Sequence, residues 1–168
     1  MARCEPLMAL VPIPVRASVR DLLRDLVGAK VTVTEDKQQE LDAARSSYLA
    51  VYRQDDGTAV ASVITDLTTA AALGGALGMM SAADVSEAMG EASSLEGDLY
   101  DSFGEVVNVF SKLLNSPTTR HVTLDGLLPV PGEVPASVAD VVLTPRARVD
   151  YTIAVEGHAT GILTLLSH

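Results

Sequence analysis

Residues 47–78 read SYLAVYRQDDGTAVASVITDLTTAAALGGALG. Two runs rich in Val, Tyr, Ile and Thr, 47–54 and 58–65, flank Asp55-Asp56-Gly57. An Asp-Gly pair between two β-rich runs predicts a tight antiparallel hairpin, because Gly accepts the positive φ such a turn requires. Asp66 then stands where it can cap a helix over 67–78, a segment made almost wholly of Ala, Gly, Leu and Thr. A hairpin running directly into a helix points to an α+β architecture.

Working outward, VRASVRDLLRDLVG (15–28) carries apolar residues at 15, 19, 22, 23, 26 and 27, which is helical spacing with a stop at Gly28. KVTVTE (30–35) alternates as a strand, and the polar DKQQELDAARS (36–46) is expected to be a loop. Downstream, Ser81 with Asp84 predicts a cap for a short helix, SAADVSEAMGE. Ser93 with Glu96 has the capping-box pattern and is expected to open a long helix. That helix ends near Asn115, because Ser116-Pro117 resists continuing it. HVTL (121–124) is expected as a strand, PVPGEVP (129–135) as a proline-rich loop, and ASVADVV as a helical turn. RVDYTIAVE (148–156) alternates, Gly157-His158 turns the chain, and ATGILTLL (159–166) returns. The expected order is one helix, three strands, three helices and three strands. It forms a single domain over 1–168, with a largely antiparallel sheet packed against long helices.

Composition narrows the function classes. With 48% hydrophobic and 20% charged residues, the chain can bury a core and is not disordered as a whole. It has no Trp and only two Phe, so the core must be built mainly from Ala, Val and Leu. A net charge of −10 argues against binding nucleic acid through its phosphates. Cys4 is the only cysteine, so no intrachain disulfide forms, and His121, His158 and His168 have no metal-ligand spacing. No apolar run approaches a membrane span. LMALVPIPV (7–15) is too short and too proline-rich for a signal peptide, so the expected location is cytoplasmic. No Ser lies in a Gly-x-Ser-x-Gly elbow, and LGGALG (73–78) lacks the Lys-Ser/Thr of a phosphate loop. Close helix packing is the expected use of those glycines.

The second informative stretch is DSFGEVVNVFSKLLN (101–115). At about 100° per residue, Leu99, Phe103, Val106, Val107, Phe110, Leu113 and Leu114 share one face. Asp101, Glu105, Asn108 and Lys112 form a polar line on the opposite face, within roughly 60° of each other. Val109 lies at the edge of that line, roughly 40° from Glu105. An Asn inside a helix competes with the backbone for hydrogen bonds. Asp101 and Glu105 repel at i, i+4. Periodicity alone does not separate a solvated face from a working one.

Asp101-x-x-x-Glu105-x-x-Asn108, followed by Pro129, resembles the signature of the CheC/CheX family of chemotaxis phosphatases. The order of elements is also similar to the CheX branch: an N-terminal helix, strands, an Ala/Leu-rich helix ending near Gly78-Met79, a short acidic helix, then the motif helix. The first helix lacks a second Glu-x-x-Asn, which resembles CheX rather than CheC. The resemblance implies a CheX-like fold and hydrolysis of the aspartyl phosphate of a response-regulator receiver domain. Asn108 would position the attacking water and Glu105 would pair with the receiver's lysine. Asp101, Val109, Lys112 and Pro129 would lie at the partner surface. Val109 would either cover part of that interface or hinder close approach. Any Mg²⁺ would belong to the receiver, and this chain would need no cofactor. Kept without catalysis, the same fold would serve as a binding or dimerisation module. Exposed sheet edges suggest a homodimer.

Overall fold

The computed structural model describes residues 11–37, 46–132 and 134–168. Cys4, the first part of the 7–15 segment and most of the 36–46 loop lie outside the described residues. The hairpin forms as read. Strands β2 (Ser47–Gln54) and β3 (Ala59–Asp66) pair antiparallel around a turn in which Gly57 takes φ +85°. Asp56 accepts the Thr58 N–H at 2.9 Å and pairs with Arg120 across the turn.

Among the described residues the sheet has six strands, all antiparallel, in the order β1-β5-β6-β3-β2-β4. The remaining strands are β1 (Val31–Asp36), β4 (Val122–Val130), β5 (Ala147–Val155) and β6 (Gly161–Ser167). On one face lie α1 (Arg16–Val27), α2 (Leu67–Leu77) and α4 (Gly97–Leu114), with α3 (Ala82–Met89) packed on α2. Tyr48, Ala50 and Tyr52 of β2 point into this main core. Leu49 and Val51 point the other way, where Val138 and Val141 of α5 (Ala136–Leu143) cover them. Two covered faces explain why β2 and β3 are buried almost throughout rather than alternating.

α2 is the central helix, and every residue from Thr69 to Gly75 is buried. A Cβ on Gly74 would stand 2.7 Å from the Leu99 carbonyl oxygen, and one on Gly75 would collide with Val85. The glycines of 73–78 therefore serve close packing, as expected. Asp66 caps α2 by accepting the Thr69 N–H at 2.9 Å, and Ser81 caps α3 by accepting the Asp84 N–H at 3.1 Å. Among buried charges, Asp150 is answered by Arg148 at 2.9 Å and by the Thr164 hydroxyl on the neighbouring strand.

Several expectations are corrected. Ser93 and Glu96 do not form a capping box. α4 begins only at Gly97, and Glu96 makes no side-chain capping bond. The chain is instead tied one residue earlier, where the buried Leu95 N–H donates to the Tyr48 hydroxyl at 2.8 Å. Pro129 is not in a loop but inside β4, opposite Tyr48. β4 is an edge strand, where a missing N–H costs the ladder least. The 136–143 segment makes a full short helix rather than one turn, so a helix stands between β4 and β5. Leu113 is half-buried rather than fully inside.

Candidate functional site

α4 sorts its residues as the periodicity requires. Leu99, Phe103, Val106, Val107, Phe110 and Leu114 are buried. Asp101, Glu105, Asn108 and Lys112 are exposed, and Val109 is half-buried beside them. Glu105 and Asn108, three apart, are neighbours on the helix surface, with about 5–6 Å between their Cβ atoms. Among the described residues, neither side chain has a hydrogen bond or ion pair, and the same is true of Asp101 and Lys112. The Asn108 amide therefore presents a free donor pair and a free acceptor to solvent. Its backbone carbonyl is taken by the Ser111 hydroxyl at 2.7 Å.

The front of the helix is free, but its back is fixed at three points. At the start, Leu95 N–H reaches Tyr48, whose ring also meets Phe103 and Tyr100 at centroid distances of 5.8 and 6.0 Å. In the middle, the buried Tyr52 hydroxyl donates to the Val107 carbonyl at 2.6 Å. Burial drives the Tyr52 phenol far above its ordinary pKa, so the donor stays protonated. At the end, the Asn115 amide donates to the Ser111 and Val122 carbonyls and accepts the Val122 N–H, each at 2.8 Å. Tyr48 and Tyr52 are four apart on one strand and so share a face, which lets one strand hold two levels of the helix.

Sequence reading found the polar line but missed these attachments, because each joins residues far apart in the chain or disguised as polar surface. It also passed over Gly104. A Gly within a helix costs about 1 kcal/mol relative to Ala. A Cβ there would meet nothing within 4 Å, so no internal contact demands it. Gly104 lies one turn before Asn108, beside the polar line, and leaves that flank low. Pro129 sits on β4, opposite Tyr48, and is not part of the α4 stripe. Among the described residues there is no group of three or more His, Cys, Asp or Glu able to hold a metal ion. No described helix is long and apolar enough to cross a membrane.

No family model matches this chain, and no curated protein matches it. Solved structures do match. FliY from Thermotoga maritima is 14% identical over 92% of this chain and 84% of its own, with a TM-score of 0.61. FliM in the FliM–SpeE complex from H. pylori is 8% identical over 90% of this chain and 80% of its own, also at 0.61. The chemotaxis protein CheX from Desulfovibrio desulfuricans is 11% identical over 90% of this chain and 95% of its own, at 0.51. At these identities the likeness is one of fold. The chain has the α+β fold that CheX shares with FliY and FliM, as its sequence suggested.

Proposed function

We infer that this chain is a CheX-like phosphatase acting on the aspartyl phosphate of a response-regulator receiver domain. One observation carries the reading: Glu105 and Asn108 stand side by side, exposed and without a partner among the described residues, on a helix fixed from behind. A carboxamide can orient a water by donating and accepting, and it adds no negative charge beside a phosphoryl group. Glu105 supplies the carboxylate for a partner lysine. Asp101, Lys112 and Val109 border the contact. Pro129, on the edge strand β4 to which Asn115 ties the end of α4, contributes to the wider partner surface. Catalysis here is positioning, with no covalent step on this chain.

The test uses a panel of receiver domains from the organism that encodes this chain, charged with a small-molecule phosphoryl donor. The wild type is expected to speed loss of phosphate from at least one receiver, and Asn108→Ala to remove about 100-fold of that acceleration. Equal rates with both proteins, for every receiver, would sink the enzymatic reading.

A second reading has its own support. Val109 places an apolar, half-buried surface at the edge of the polar line, and the same fold occurs in FliM bound to SpeE. On that reading the chain is a non-catalytic binding module, and receivers or other signalling proteins bind without turnover. In either case the strands that end the sheet among the described residues, β1 and β4, are the expected surfaces for a homodimer. A monomer in sedimentation at micromolar concentration would count against it.

A further inference from the structure

The end of α2 is built as a Schellman motif. The Met80 N–H donates to the Gly75 carbonyl at 2.9 Å, and the Met79 N–H to the Ala76 carbonyl at 3.2 Å. In that motif the first residue past the cap takes a left-handed conformation, which is why Gly usually stands there. Here the position is Met79, at φ +58°, the only non-glycine with positive φ among the described residues. Gly78, one residue too early to help, has φ −76°. Met79 is also the most exposed large apolar residue described, at 84%. Met80 beside it packs on the core. The cap thus bears a left-handed backbone that a glycine would adopt without strain, and a solvated apolar side chain, at one residue.

Location supplies a reason. A Cβ on Gly78 would lie 3.2 Å from the Ser102 hydroxyl of α4, so Met79 follows directly on the contact between α2 and the motif helix. Ser102 is three residues before Glu105 and seven before Val109. At about 100° per residue, Ser102 and Val109 fall on the same flank of the polar line, two turns apart. The helix front therefore has a central row of Asp101, Glu105 and Asn108, and on one flank of it lie Val109 and the Ser102 contact that Met79 directly follows. Strained residues that the surrounding structure maintains cluster at binding surfaces, and Met suits an anchor that must adapt to its counterpart.

We propose that Met79 is an apolar anchor of the docking surface, seating against the same receiver domain that Glu105 and Asn108 address. The partner surface it fits is mixed: a cationic group opposite the acidic row and an apolar side chain opposite Met79. The charge follows from Asp98, Asp101 and Glu105 on the exposed front of α4, in a chain of net charge −10. This inference rests on the receiver reading and adds a specificity residue to it.

Because strain and docking pull in opposite directions, Met79→Gly separates them. Gly relieves the backbone and is expected to raise the melting temperature by about 2–4 °C. It removes the anchor and is expected to weaken binding to a receiver held in its phosphorylated form with beryllofluoride by about tenfold, read by fluorescence anisotropy. Met79→Leu keeps the apolar contact and is expected to bind within about twofold of wild type. If Met79→Gly binds as tightly as wild type while Asn108→Ala still abolishes turnover, the anchor is wrong and the phosphatase stands. If Met79→Gly does not gain stability, the strain argument is wrong. If no receiver binds wild type, the receiver reading and the anchor fall together.

Discussion

The phenolic hydroxyl of Tyr52 lies 2.6 Å from the carbonyl oxygen of Val107, the residue that immediately precedes Asn108. The bond joins β2, the strand beside the β4 edge, to the middle of the motif helix through a fully buried side chain. Tyr52→Phe deletes one hydrogen bond with little change of shape, and is expected to cost about 1 kcal/mol in a urea titration. The same residue makes an alkaline prediction. Burial raises its pKa above the ordinary value near 10, and burial followed by the nearby Glu35 raises that of Tyr151. Above about pH 10 the unfolded chain releases tyrosine protons that the folded chain retains, so folding stability falls as pH rises. The contribution of Tyr52 is fully present below pH 10 and drops by about 1.4 kcal/mol per pH unit beyond it. Tyr52→Phe should lessen that slope. A mutant with an unchanged alkaline slope would show that the phenol ionises freely in the folded protein.

Asn115 uses its whole amide to join the end of α4 to the first residue of β4. Asn115→Ala leaves the buried Val122 N–H and carbonyl without those partners, and a loss of about 1–3 kcal/mol follows. Amide exchange locates the effect. Val122 should lose protection more than the central strands do, and uniform change across the domain would argue that the amide is not a local clip.

Two glycines in neighbouring helices should respond to alanine with opposite signs. At Gly74 a Cβ meets backbone at 2.7 Å, and backbone cannot move aside cheaply, so Gly74→Ala is expected to destabilise by about 1–3 kcal/mol. At Gly104 the added methyl meets nothing within 4 Å, so helix propensity governs and Gly104→Ala is expected to stabilise by about 1 kcal/mol. Thermal melts of the two variants should move in opposite directions. If both destabilise, Gly104 has a structural duty that its surroundings do not reveal.

Local signals were readable wherever the chain's near neighbours decide the outcome. The β2–β3 turn, the Asp66 and Ser81 caps, and the Gly28 stop of α1 depend on residues within a few positions, and each forms as read. The Ser93–Glu96 pattern is as local as the Ser81 cap, yet a tertiary bond from Leu95 to Tyr48 overrides it. Pro129 reads as a strand breaker until the sheet order makes its strand an edge. At the site, periodicity sufficed to set Glu105 and Asn108 on one exposed face. It was silent on Tyr52, Asn115 and Met79, whose significance depends on pairing, on a cap and on backbone conformation.

Three attachments behind α4 have a kinetic consequence. A surface that must fold or shift before it can bind spends time in incompetent states, and its association rate falls accordingly. The backbone beneath the front of α4 is held in place, so encounters are limited by orientation and by the field around the molecule. With a net charge of −10, that field reaches a cationic partner over roughly the Debye length, about 8 Å in physiological salt. The speed of recognition would then be set by ionic strength, while the pinned helix fixes what is recognised.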